Sequence, residues 1–212
     1  MEITRYEKKG YQDLTVPYTF FKQQKPKGLL IVLPGLGYTA QAPLLHYSTG
    51  IYLNRGYDVL QINYRYSNPE YDHFTQSELI NALNSDPQKI ISTIAGNRSY
   101  SDFYLIGKSL GTIAVSSFLK LEMFRQAKAI WMTPLLHRED VHAAMLNHTE
   151  ASLCFIGSED PYYEEERFSQ LNTNPDLSTY CIPKADHSLE IKHDTHGSIN
   201  ILNSIMDQIH SF

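Results

Sequence analysis

At 212 residues, with 42% apolar and 19% charged residues, the chain has the make-up of one globular domain rather than a disordered, collagen-like or disulfide-stapled protein. A net charge of −5 offers no basic field for nucleic acid or anionic lipid, and the longest strongly apolar run, Leu29–Leu33, falls far short of the ~20 residues of a membrane span. Residues 1–10 carry charges without the apolar stretch of a secretory leader, and Cys154 and Cys181 are too few for a disulfide framework, so two core thiols in a cytoplasmic protein are expected.

Residues 3–8 and 16–21 read as antiparallel strands. Gly28 opens a short buried strand, Leu29–Leu33, which ends in Pro34-Gly35-Leu36-Gly37. The pattern predicts a helix over Pro43–Asn54, stopped by Gly56, and a strand over residues 58–64. Residues 77–83 and 87–94 read as two helices, the second capped by Asp86, with Pro87 at its first position and Ile90, Ile91 and Ile94 on one face. A strand follows at 103–106, then a helix at 110–121 that is apolar nearly all round, as a helix packed centrally on a sheet would be. Strands at 129–132, 153–156 and 178–182 alternate with helices at 138–146, 164–171 and 199–209, the last with Leu202, Ile205, Met206 and Ile209 at helical spacing. This rhythm predicts one α/β domain over residues 1–212, a mostly parallel, twisted, eight-stranded sheet with helices on both faces.

Ligands of such sheets sit at the carboxyl ends of the strands, so the polar residues just past each strand matter most. Past residue 106 comes Gly107-Lys108-Ser109-Leu110-Gly111. A strand turning straight into a helix strains its central serine and holds the hydroxyl out at the sheet edge, with flanking positions that cannot carry bulk. The helix N-terminus behind it favours developing negative charge. Past residue 156 comes Gly157-Ser158-Glu159-Asp160, and past residue 182 comes Ala185-Asp186-His187-Ser188. A serine hydroxyl is a poor nucleophile until a base takes its proton. His187 can be that base, and Asp160 would hold its other ring N–H, so Ser109, Asp160 and His187 form the candidate catalytic set.

On these three motifs the chain resembles the α/β-hydrolase family over nearly its whole length. The resemblance implies a serine hydrolase acting on a small-molecule acyl substrate through an acyl-enzyme, with neither metal nor cofactor. Its oxyanion hole would use the N–H of Leu110 and one from the turn at residues 33–38. Pro34 stands where many members have His before Gly, and the tripled glycine is absent. Leu36 N–H is the favoured donor, since a backbone donor does not depend on its own side chain. Gly35, Tyr38 and Lys108 are expected at the substrate. Many members carry a lid after the sixth strand, whereas residues 133–151 here hold only a turn and one helix. Residues 67–76 are the only loop long enough to overhang the site. No sizeable cap is therefore expected, and a small soluble ester or thioester, or an acyl group presented by a larger partner, fits better than lipid at an oil surface.

Other readings compete. Glu159 could replace Asp160 in a different loop register; Asp186 neighbours the base but reads as a turn residue, and Glu139 and Asp140 as first-turn helix residues. Gly35 to Ala40 fits the G-x-G-x-x-A dinucleotide fingerprint, yet the next strand ends Asn63-Tyr64-Arg65 without a ribose-binding acid; Arg65 leaves NADP open. His187, His193 and His196, like His137 and His142, lack zinc spacing and read as loop histidines. A non-catalytic, hydrolase-like binding module is the remaining alternative.

Overall fold

Five consecutive apolar residues make the strand Leu29–Leu33, and none is exposed: Leu29, Ile31 and Leu33 enter one core, Leu30 and Val32 the other. Side chains alternate across a strand, so an all-apolar strand requires cover on both faces. The computed structural model, which describes residues 1–96 and 98–212, makes this the third of eight strands. In chain order they are β1 (Glu2–Lys9), β2 (Thr15–Lys22), β3 (Leu29–Leu33), β4 (Asp58–Ile62), β5 (Phe103–Lys108), β6 (Lys128–Met132), β7 (Ser152–Gly157) and β8 (Leu177–Ile182). They form one sheet in the order β1-β2-β4-β3-β5-β6-β7-β8. β2 runs antiparallel to β1 and β4, and all other pairings are parallel, as expected.

Helices α1 (Pro43–Asn54) and α6 (Thr195–Ser211) cover one face. The other carries α2 (Gln76–Ala95), α3 (Gly111–Phe118), α4 (Glu139–Asn147) and α5 (Glu165–Leu171). The chain steps to opposite sides of β3 when it forms β4 and then β5, so the turns after β3 and β5 border a crevice at the carboxyl edge. Only residues 133–138 join β6 to α4, too few for a cap.

The sequence reading needs correction at α2. Two helices with Asp86 as a cap were expected; one helix runs through Pro87. An interior proline removes a helix hydrogen bond, at about 3 kcal/mol. Continuity is favoured by the face Ala82, Leu83, Pro87, Ile90, Ile91 and Ile94, all buried. Asp86 is not a cap but an inward anchor: its carboxylate accepts from Tyr11 N (2.6 Å) and Tyr66 Oη (2.8 Å). The true cap is Thr75, which exchanges hydrogen bonds with Glu78. β4 stops two residues early at Ile62, α3 ends at Phe118, and α6 begins at Thr195 behind the cap Asp194. Cys154 is buried and Cys181 half-buried, both as free thiols. Among the described residues, no helix is long and apolar enough to cross a membrane.

Candidate active site

β5 runs into α3 through Ser109, whose φ of 52° lies in the left-handed region that side-chain-bearing residues rarely adopt. Its surroundings over-determine that conformation. Ser109 N donates to Met132 O at 3.0 Å, and its carbonyl accepts from Thr112 N at 2.9 Å and Thr112 Oγ1 at 2.6 Å. A Cβ on Gly111 would lie 2.0 Å from Leu33 O, so α3 starts directly against the backbone of β3. The serine is thus held at the crevice with 9% exposure.

The loops that carry Asp160 and His187 close on one another in the same way. A Cβ on Gly157 would lie 2.0 Å from Ala185 O, and three hydrogen bonds join the loops: Ser158 N to Ile182 O, Glu159 N to Ala185 O (both 2.9 Å) and Lys184 N to Ser158 Oγ (2.8 Å). This brings together residues 51 and 78 positions from the serine. His187 Nε2 lies 2.9 Å from Ser109 Oγ, and His187 Nδ1 lies 2.7 Å from Asp160 Oδ2. The Asp160 side chain is fully buried, and its Oδ1 accepts from Tyr162 N at 2.8 Å. A carboxylate only accepts, so the ring proton sits on Nδ1 and the Nε2 lone pair faces the serine hydroxyl.

The rival acids lie elsewhere. Glu159 is exposed. Asp186 binds the N–H groups of Ser188 and Glu190 within its own turn. Asp140 pairs with Arg138, and Glu139 with Arg167.

On the opposite side, the turn after β3 is pinned by Tyr64 Oη, which donates to Pro34 O at 2.5 Å, and closed by Gly35 N donating to Tyr38 O at 3.1 Å. Among the described residues, neither Leu36 N–H nor Leu110 N–H has an intramolecular acceptor, and both residues line the cleft beside Ser109. The turn does not match a dinucleotide site. α1 begins only at Pro43, behind the extended Ala42, so the glycines do not open a helix whose N-terminus could take a pyrophosphate.

The cleft holds about 490 Å³. Gly35 and Tyr38 line it. Lys108 lines it too, but its ammonium is engaged by protein acceptors, Thr133 Oγ1 and His187 O, each at 2.6 Å. Burial pushes that ammonium down to about 8, against the pull of Asp160 and Asp186. Burial likewise pushes the Tyr38 phenol up to about 12; its oxygen accepts from Leu44 N at 3.0 Å.

Sequence reasoning missed two parts of the cleft. One wall is apolar, from Leu79 and Ile80 of α2, Ile113 of α3 and Leu135. The rim holds Tyr162, edge-on to the His187 ring at 5.1 Å, with His137 against Tyr162 at 5.1 Å. The place of Tyr162 two residues past Asp160 was the available signal. The loop expected to overhang the site is packed instead into the core through Tyr71 and Phe74, and only its end at Gln76 reaches the cleft.

The model of an alpha/beta hydrolase domain matches residues 26–212. No curated protein matches the chain. Among solved structures it is similar to a Pyrococcus furiosus esterase (12% identity, TM-score 0.73, 99% of this chain and 91% of that one). It is also similar to a lidless serine hydrolase from Xanthomonas campestris (15%, 0.66, 99% and 94%). A third is a protein of unknown function from Agrobacterium tumefaciens (14%, 0.74, 98% and 94%). At these identities the likeness is one of fold.

Proposed function

The chain belongs to the α/β-hydrolase family, and we propose that it is a serine hydrolase that cleaves a small ester or thioester through an acyl-enzyme. The observation that carries this reading is the unbroken relay from Ser109 Oγ through His187 to the buried Asp160, at 2.9 and 2.7 Å. His187 Nε2 takes the hydroxyl proton as Ser109 Oγ attacks the substrate carbonyl carbon. The carbonyl oxygen becomes an oxyanion, for which Leu36 N–H and Leu110 N–H, without an acceptor among the described residues, are the proposed donors. Asp160 stabilises the imidazolium, which returns the proton to the leaving alcohol or thiol. Water then repeats the sequence on the acyl-enzyme, freeing the acid and restoring Ser109.

The apolar wall suits a short acyl chain, and the volume of about 490 Å³ suits a small ligand. The six residues between β6 and α4 are too few for a lid at that position, which suits a soluble substrate better than work at a lipid surface. The decisive test is labelling with a fluorophosphonate. The wild type reacts, and a folded Ser109→Ala does not; equal absence of labelling in both would overturn the reading. Within it, p-nitrophenyl acetate and butyrate should be turned over well ahead of the palmitate, and equal rates would remove the restriction to small substrates.

A further inference from the structure

We infer that Lys108 is a positioning residue for the base: its ammonium fixes the backbone of His187, and the relay stays assembled only while that ammonium carries its charge. This rests on the hydrolase reading above.

His187 sits in the irregular connection from β8 to α6, which contains three residues with left-handed backbones, Lys184, Leu189 and His193. The turn is closed by Asp186, through bonds to Ser188 and Glu190. None of these bonds involves His187 itself. Among the described residues, the backbone of His187 makes one hydrogen bond, and its donor is Lys108 Nζ at 2.6 Å. Lys108 is the last residue of β5, paired with Met132 in the sheet, and precedes the nucleophile. It therefore links the centre of the sheet to a residue whose own backbone makes no other hydrogen bond among the described residues.

The same ammonium reaches two more loops. Thr133 Oγ1, just past β6, accepts from it at 2.6 Å, and Thr133 is itself left-handed, at φ 43°. The Tyr38 ring of the turn after β3 lies 4.9 Å below it. Lys108 is 1% exposed, so bulk solvent has little access to these contacts. The charged form supports all three: two charge-assisted hydrogen bonds and the attraction to the ring face. A neutral amine weakens the first two and loses the third.

The groups facing the ammonium are Asp160 on the loop after β7, Asp186 and the His187 carbonyl after β8, Thr133 after β6 and Tyr38 after β3. The carboxylates retain its proton and burial expels it, leaving a balance at about 8. The Tyr38 phenol, at about 12, stays neutral over the same range. Activity should therefore decline above about pH 8 as Lys108 is discharged.

The test compares fluorophosphonate labelling rates, and kcat and KM for p-nitrophenyl acetate, in wild type and Lys108→Met from pH 6 to 9.5. A base displaced by about 1 Å should cost the variant about 10²-fold in labelling rate and kcat, with KM little changed. The alkaline decline of the wild type should be absent. Should Lys108→Met fail to fold, Thr133→Val removes one acceptor of the charged form and should move the decline down by about one pH unit. Wild-type rates with the wild-type pH profile in Lys108→Met, or an unmoved decline in Thr133→Val, would overturn the positioning role and leave the hydrolase reading standing. A wild type that does not label at any pH would overturn the hydrolase reading itself.

Discussion

Ser109 and His187 face each other at 2.9 Å, yet the chain holds them by different means. Around Ser109, position comes from backbone against backbone: α3 rests on Leu33 and Pro34, and the strained residue is tied to Met132 and Thr112. Around His187, the loops after β7 and β8 are tied to each other, while the base residue itself depends on side chains. Those are the carboxylate of Asp160, the ammonium of Lys108 and the ring edge of Tyr162. Steric fixation is insensitive to pH and intolerant of added volume. Fixation by charge is tolerant of volume and responds to protons. The two halves of one site should therefore fail under different perturbations.

The largest effect is expected at the acid. Asp160→Asn keeps the volume but can offer an N–H to His187 Nδ1, which would move the ring proton to Nε2 and turn it away from its role as acceptor. A loss of about 10⁴-fold in kcat is expected, with the thermal midpoint little changed. A loss below tenfold would mean that orientation of the ring comes from elsewhere, and would break the contrast at its strongest point. On the nucleophile side, the matching perturbation is one methyl group. Gly111→Ala brings a Cβ against the carbonyl of Leu33, and overpacking against backbone cannot be relieved by a rotamer change. Urea unfolding should show a loss of about 3 kcal/mol or more, at every pH.

The base side should instead show a stability that depends on pH. Lys108 ionises near 8 in the folded chain and near 10.4 when unfolded. Between those values the unfolded chain holds more protons, so this residue makes stability rise with pH, and below about pH 8 its buried charge is a full cost. Relative to Lys108→Met, the wild type should gain up to about 3 kcal/mol between pH 7 and 10.4, read from urea unfolding at several pH values. Activity should change with the opposite sign over the same window. A group that weakens the fold where it supports turnover is one retained for chemistry, and a flat difference between the two proteins would count against that assignment.

Most of this site was legible because parallel strands deliver their following residues to one edge. The all-apolar Leu29–Leu33 announced a strand covered on both faces, and the motifs around Ser109, Asp160 and His187 each followed such a strand. What escaped was set by partners distant in sequence. Asp86 beside Pro87 carries every local sign of a helix start, but its carboxylate is engaged by Tyr11 and Tyr66, 75 and 20 residues away. The long helix that results brings Leu79 and Ile80 into the cleft wall. Lys108 read as a residue poised at the substrate, and only the fold shows its ammonium on a carbonyl 79 residues later. Alternation and spacing report faces and strand ends; they do not report which buried polar group meets which.

The smallest expected effect sharpens the comparison from the nucleophile side. Tyr64 is buried, its ring stacked on Tyr66 at 4.6 Å, and its hydroxyl holds the carbonyl of Pro34 just before the turn that bears Leu36 N–H. Burial pushes this phenol well above the ordinary tyrosine range, so it donates at every working pH. Tyr64→Phe keeps the ring and leaves one buried carbonyl without a donor, which should cost about 1–3 kcal/mol of stability. The turn retains its bond from Gly35 N to Tyr38 O and its contact with Ser109, where a Cβ on Gly35 would already be crowded at 3.2 Å. A turn held by packing should therefore keep Leu36 N–H, the proposed oxyanion donor, nearly in place, with kcat reduced less than about tenfold and no new pH dependence. A fall of 10²-fold or more would place this turn with the His187 loop, among the parts that single polar contacts hold in position.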